Sequence, residues 1–102
     1  METSDRLSLL KHDLQLLTNS NDTYLTSLLT KSEEAVNREG IAKPAETETG
    51  VEYDYCVIDY AAYLFRKRAS QTDTAMPKFL RLELNNLKFH QKMATTSEST
   101  GS

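Results

Sequence analysis

Apolar residues recur along this chain at spacings of three and four, the period of a helix, and no stretch alternates convincingly as a half-buried strand requires. Four helical segments follow from that pattern. The first is predicted from about Thr3 to Leu17, capped by Thr3 or Ser4 with Asp5 early, and it places Leu7, Leu10, Leu14 and Leu17 on one face. Leu9 and Leu16 fall off that face. The polar run at 18–21 breaks the helix, because short polar side chains compete for backbone hydrogen bonds. Asn21 or Asp22 then caps a second helix, predicted to about Glu39, with Leu25, Leu28, Leu29, Ala35 and Val36 inward and Gly40 placed for a left-handed stop.

Residues 41–50 read as an exposed polar loop punctuated by Pro44 and Gly50. The third helix, about Val51 to Ala69, is the expected core element, with Tyr53, Cys56, Val57, Tyr60, Ala61, Leu64 and Phe65 on one broad face. Glu52 and Asp54 lie at its start, and Arg66, Lys67 and Arg68 at its end, the order that the helix dipole favours. After a turn at 70–75, Pro77 opens a last helix to about Met93. The remainder, 94–102, is polar and low in complexity, and is expected to be disordered. The predicted fold is therefore all-α: a small bundle of about four helices at 1–93 with a long C-terminal helix, followed by a flexible tail.

The last helix has more faces than a bundle edge needs. Leu80, Leu84 and Leu87 form one apolar stripe, and Phe79, Leu82, Phe89 and Met93 form a second roughly opposite. A basic row of Lys78, Arg81, Lys88 and Lys92 runs between them. A second apolar stripe in so short a chain points to a surface that meets a partner.

Composition narrows the function further. The chain has 102 residues, one domain's worth, with a net charge of −3, which argues against a general nucleic-acid binder. Its single cysteine excludes an internal disulfide framework and fits a reducing compartment. No run is long enough to span a membrane, and the opening residues lack a secretory pattern, so a cytosolic protein is expected. Two histidines and one cysteine lack metal-ligand spacing, no glycine-rich phosphate loop occurs, and Cys56 lies on a buried face as an inert small hydrophobe. Neither a metal, a cofactor nor an enzymatic activity is expected.

On the third helix, Tyr55, Asp59, Tyr63 and Arg66 lie away from the core stripe. Their bland reading is a solvated face. Their sharper reading is a subunit contact, since Tyr and Arg are enriched in interfaces. The basic row likewise reads either as a solvated stripe or as a face for phosphates or an acidic protein.

The order of these pieces carries a resemblance. The segments LSLLKHDLQLL, NDTYLTSLLTKSEEAV, YDYCVIDYAAYLFRKR and MPKFLRLELNNLKF, separated by an acidic loop, resemble the head-completion, or head-tail connector, adaptors of long-tailed bacteriophages, in particular those of Bacillus-infecting siphophages. The likeness covers roughly residues 5–92 and rests on patterns of apolar and acidic positions. It implies a helical, non-enzymatic protein, monomeric when free, that forms a ring (a dodecamer) on the portal protein after DNA packaging. Such a ring extends the DNA channel and presents a platform to the stopper, the second head-completion protein. The implied location is the virion neck, with the host cytoplasm before assembly. Carried to this chain, the portal contact falls on Phe79, Leu82, Phe89 and Met93, and the subunit contact on Tyr55, Asp59, Tyr63 and Arg66. A net acidic protein suits a channel through which DNA slides without sequence-specific binding. The alternative reading is a small helical nucleic-acid-binding regulator that uses the last helix for recognition.

Overall fold

The computed structural model describes residues 2–44, 50–69 and 75–101, with the side chains at 69 and 93–101 outside the description. Among the described residues the protein is all-α, without strands: α1 (Thr3–Asp13), α2 (Asp22–Arg38), α3 (Val51–Ala69) and α4 (Lys78–Gly101). Helix α3 is the hub and packs against the other three. It can do so because apolar residues ring much of its circumference. Tyr53, Cys56, Val57 and Ala61 are buried, as the periodicity predicts, and Ile58 and Ala62 are buried beside them. Leu25, Leu28, Leu29 and Val36 of α2, Leu10 of α1, and Leu80, Leu84 and Leu87 of α4 complete one core.

Helix α1 ends earlier than the leucine pattern predicts. Its stop is Gln15, held at φ 58°. The Leu16 N–H reaches the Lys11 carbonyl at 2.9 Å and the Gln15 N–H reaches His12 at 3.1 Å, the paired bonds of a Schellman stop. The chain therefore turns before Leu17, which is 97% exposed rather than on the core face. Leu7, Leu14 and Leu16 pack at the edge of the core.

Helix α2 ends as expected, with Gly40 at φ 98°. The loop after it departs from its polar reading. Ile41 is fully buried and joins the core, because the chain folds back over it toward α4. Residues 45–49 lie outside the described residues. Gly50, at φ 54°, enters α3 where an added Cβ would meet Pro44 Cγ at 2.9 Å. The backbone of α4 stays helical to Gly101, past the expected stop at Met93 and through the segment expected to be disordered. No proline or glycine intervenes between Pro77 and Gly101 to end it.

Candidate functional site

The rotation of α4 about its own axis decides what it shows to solvent, and three sets of interactions fix that rotation. Leu80, Leu84 and Leu87 are buried against the core. On one flank, Arg81 of α4 donates to Glu39 at the end of α2, Nη1 to Oε2 at 2.9 Å and Nη2 to Oε1 at 3.3 Å, with Lys88 Nζ 3.9 Å from the same carboxylate. One turn further on, Gln91 and Ala42 exchange two bonds. The Ala42 N–H donates to Gln91 Oε1, and Gln91 Nε2 donates to the Ala42 carbonyl, both at 2.8 Å. With its inner face filled and its flank tied, α4 cannot roll its second apolar stripe inward. Phe79, Leu82 and Phe89 stand 57%, 60% and 59% exposed.

Beside this stripe an open groove of about 430 Å³ separates α4 from the start of α3. Tyr55 reaches it from α3 and Phe79, Leu82 and Leu87 from α4, so its walls are largely apolar. Its polar members are Glu52, Glu83, Asn86 and His90. His90 Nδ1 lies 3.6 Å from Glu52 Oε2. Glu83 is pushed up to about 8 by burial, and further by its hydrogen bond to Asp59 and that group's negative charge. Protonated Glu83 therefore donates to the Asp59 carboxylate and joins α4 to α3 at the groove.

The four residues grouped on α3 do not form one open face. Tyr55 lines the groove and Asp59 pairs with Glu83. Tyr63 meets Tyr60 edge-on at 5.9 Å, with Lys67 Nζ 5.8 Å from its ring centroid. Arg66 Nη2 is 3.4 Å from Asp13 Oδ2 at the end of α1. The basic row is divided as well. Arg81 and Lys88 bind Glu39, while Lys78 and Lys92 are exposed along the far edge of the outer stripe. The side chain of Met93 lies outside the described residues.

Sequence reading passed over Asn86, which sits exposed between Leu82 and Phe89 on the outer stripe. The signal was present: Phe79, Leu82, Asn86 and Phe89 are spaced three, four and three apart, a heptad frame with one polar member. Cys56 is fully buried, and burial pushes its thiol up to about 12, which leaves it protonated and unreactive. Among the described residues no three His, Cys, Asp or Glu side chains gather as metal ligands, and no helix is long and apolar enough to cross a membrane. What the surface offers chemically is an aromatic and aliphatic face with a largely apolar groove on one side and lysines on the other. Comparison with protein-family models, with characterised proteins and with solved structures gives no match for this chain.

Proposed function

We propose that this chain is a structural adaptor of a phage head-tail connector, which docks as a ring on the portal protein after DNA packaging, extends the DNA channel and carries the stopper. One observation supports the reading most: a stripe of Phe79, Leu82 and Phe89 held outward by a helix whose inner face and flank are already engaged. A contiguous exposed stripe of aromatic and leucine side chains on a rigid element marks an interaction surface, and phenylalanine is enriched at interface cores. The groove beside Tyr55 gives the partner a concave place to seat against, and multiple copies on a symmetric template add strength to a shallow contact. The chain acts by contact and not by catalysis, and DNA passes the acidic ring without base-specific recognition.

Co-sedimentation with purified portal rings tests this. The chain should pellet with the rings, and Phe89→Asp should abolish pelleting while its helical circular dichroism is unchanged. Full ring binding by the folded variant would remove the outer stripe as the docking surface.

A further inference from the structure

A second surface lies on the flank of α4 away from the groove, where α4 meets α3 and the end of α2. Arg81 and Lys88 of α4 share Glu39 there, and both stay partly open to solvent. Tyr60 of α3 lies within electrostatic reach of Glu39, Arg38 and Arg81. Its ring meets Tyr63 edge-on, and Lys67 stands over the Tyr63 ring. Arg38 and Lys67 are exposed. Four cations are thus gathered about two partly buried tyrosines, with the Glu39 carboxylate already engaged by two of them. Lys31 and Glu34, further back on α2, offset one another. This is a basic face on a chain whose net charge is −3.

We infer that this face is the docking site for an acidic segment of a partner protein, one that carries an apolar residue between its carboxylates. It is separate from the outer stripe, and a chain that joins two neighbours has use for two surfaces.

Charge complementarity selects the occupant. The Arg38 guanidinium presents a planar fork that a carboxylate fits with two hydrogen bonds. Lys67 adds a second cation, steadied by the Tyr63 ring. Burial raises Tyr60, and the charge of Glu39 raises it further, so its hydroxyl keeps its proton and can donate to an acid. The bodies of Tyr60 and Tyr63, with Leu64 beside them, are only partly covered by the core and give an apolar side chain a place to rest. Tyrosine and arginine together are the composition of a protein interface. DNA fits this face less well. A net acidic chain repels a polyanion at long range, whereas a short acidic segment feels chiefly the charges within a Debye length, about 8 Å at physiological salt. A phosphate backbone also brings no apolar group to cover the tyrosines. Exposed ion pairs are individually weak, so the isolated contact should have a Kd on the order of 0.1 mM and gain strength from repetition around an assembly.

Amide chemical shifts of the isotope-labelled whole chain test the inference, with a capped peptide of repeated Glu-Glu-Leu units as the probe. The amides of Arg38, Tyr60, Tyr63 and Lys67 should move on titration, and the affinity should fall as salt rises from about 20 to 150 mM. The same peptide with Gln in place of Glu should leave the spectrum unchanged. Joint replacement Arg38→Glu and Lys67→Glu should weaken binding by about tenfold or more, since two attractions become repulsions. Both side chains are exposed, so the variant should keep its helical circular dichroism. A Glu-Glu-Leu peptide that leaves these four amides unmoved overturns the inference. So does equal binding by the folded double variant. A mixed-sequence DNA duplex that moves the same amides at lower concentration than the peptide also overturns it, and makes the face a nucleic-acid contact. Portal rings separate this face from the adaptor role. A chain that pellets with rings but ignores the peptide overturns the acidic docking site and leaves the adaptor in place. A chain that takes the peptide but ignores rings keeps the docking site and removes the adaptor role.

Discussion

Arg6 of α1 holds the buried carboxylate of Asp54 at the start of α3, with Nε donating to Oδ1 at 2.8 Å. Its Nη2 donates to the same oxygen, and its Nη1 donates to Glu33 of α2 at 3.0 Å. One guanidinium thus joins three helices where the core has drawn an acid out of water. Replacing Arg6 by Met keeps the apolar stem and withdraws the charge. We expect a loss of about 3 kcal/mol in urea unfolding, the usual cost of removing one partner of a desolvated ion pair. Lys43, which lies 3.4 Å from Glu33 and is largely exposed, should cost well under about 1 kcal/mol when replaced by Ala.

The two ends that stop α1 and α2 make opposite predictions. Gln15 holds a left-handed conformation at φ 58°, where a side chain is strained. Gln15→Gly should stabilise the fold by about 0.5–1 kcal/mol. Gly40 occupies the corresponding place after α2 at φ 98°, with the nearest atom to an added Cβ at 3.8 Å. Gly40→Ala should therefore cost about 1 kcal/mol through backbone conformation alone. Thermal unfolding of the two variants should move in opposite directions.

Stability should fall as pH rises through neutrality. Glu83 of α4 keeps its proton to about pH 8 in the folded chain, whereas its ordinary value is 4.5. Between those values the folded chain binds more protons than the unfolded one, so the contribution is complete below about pH 4.5 and is lost as pH rises through about 8. Glu39 acts in the other direction. Its hydrogen bond from Arg81 holds it below 4.5, so its contribution is present above that value and is lost at more acid pH. Glu83→Gln keeps a donor for Asp59 without a titrating proton. In that variant the decline in Tm between about pH 5 and 8 should flatten.

Cys56 gives a direct report on core closure. A buried thiol pushed up to about 12 carries almost no thiolate at pH 8. A disulfide reagent should leave the folded chain unmodified over hours and label it fully once denaturant is added.

Much of the fold was legible because helix period is a local property. The bounds of α3, the start of α2 and the left-handed stop at Gly40 all follow from residues within a few positions of one another. What escaped is long-range. Arg6 and Asp54 are 48 residues apart, and nothing near either marks the pair. Ile41 looked exposed because its neighbours are polar, yet the loop folds over it. Gln15 ended α1 without the glycine that usually announces such a stop. At the candidate site, a helical wheel correctly set Phe79, Leu82 and Phe89 opposite Leu80, Leu84 and Leu87. The same device grouped Tyr55, Asp59, Tyr63 and Arg66, but it could not see that α4 would take Asp59 and α1 would take Arg66. Asn86 was readable from heptad spacing and was passed over because it is polar.

The adaptor role requires the outer stripe of α4 to be open in the lone chain and covered in its assembly. Hydroxyl-radical footprinting reads this residue by residue, in the dilute chain and again on portal rings. Phe79, Leu82 and Phe89 should be labelled in the dilute chain and protected on the ring, while Leu80 and Leu84 stay unlabelled in both. Equal labelling of the three outer residues in the ring-bound state would rule out the stripe as the docking surface.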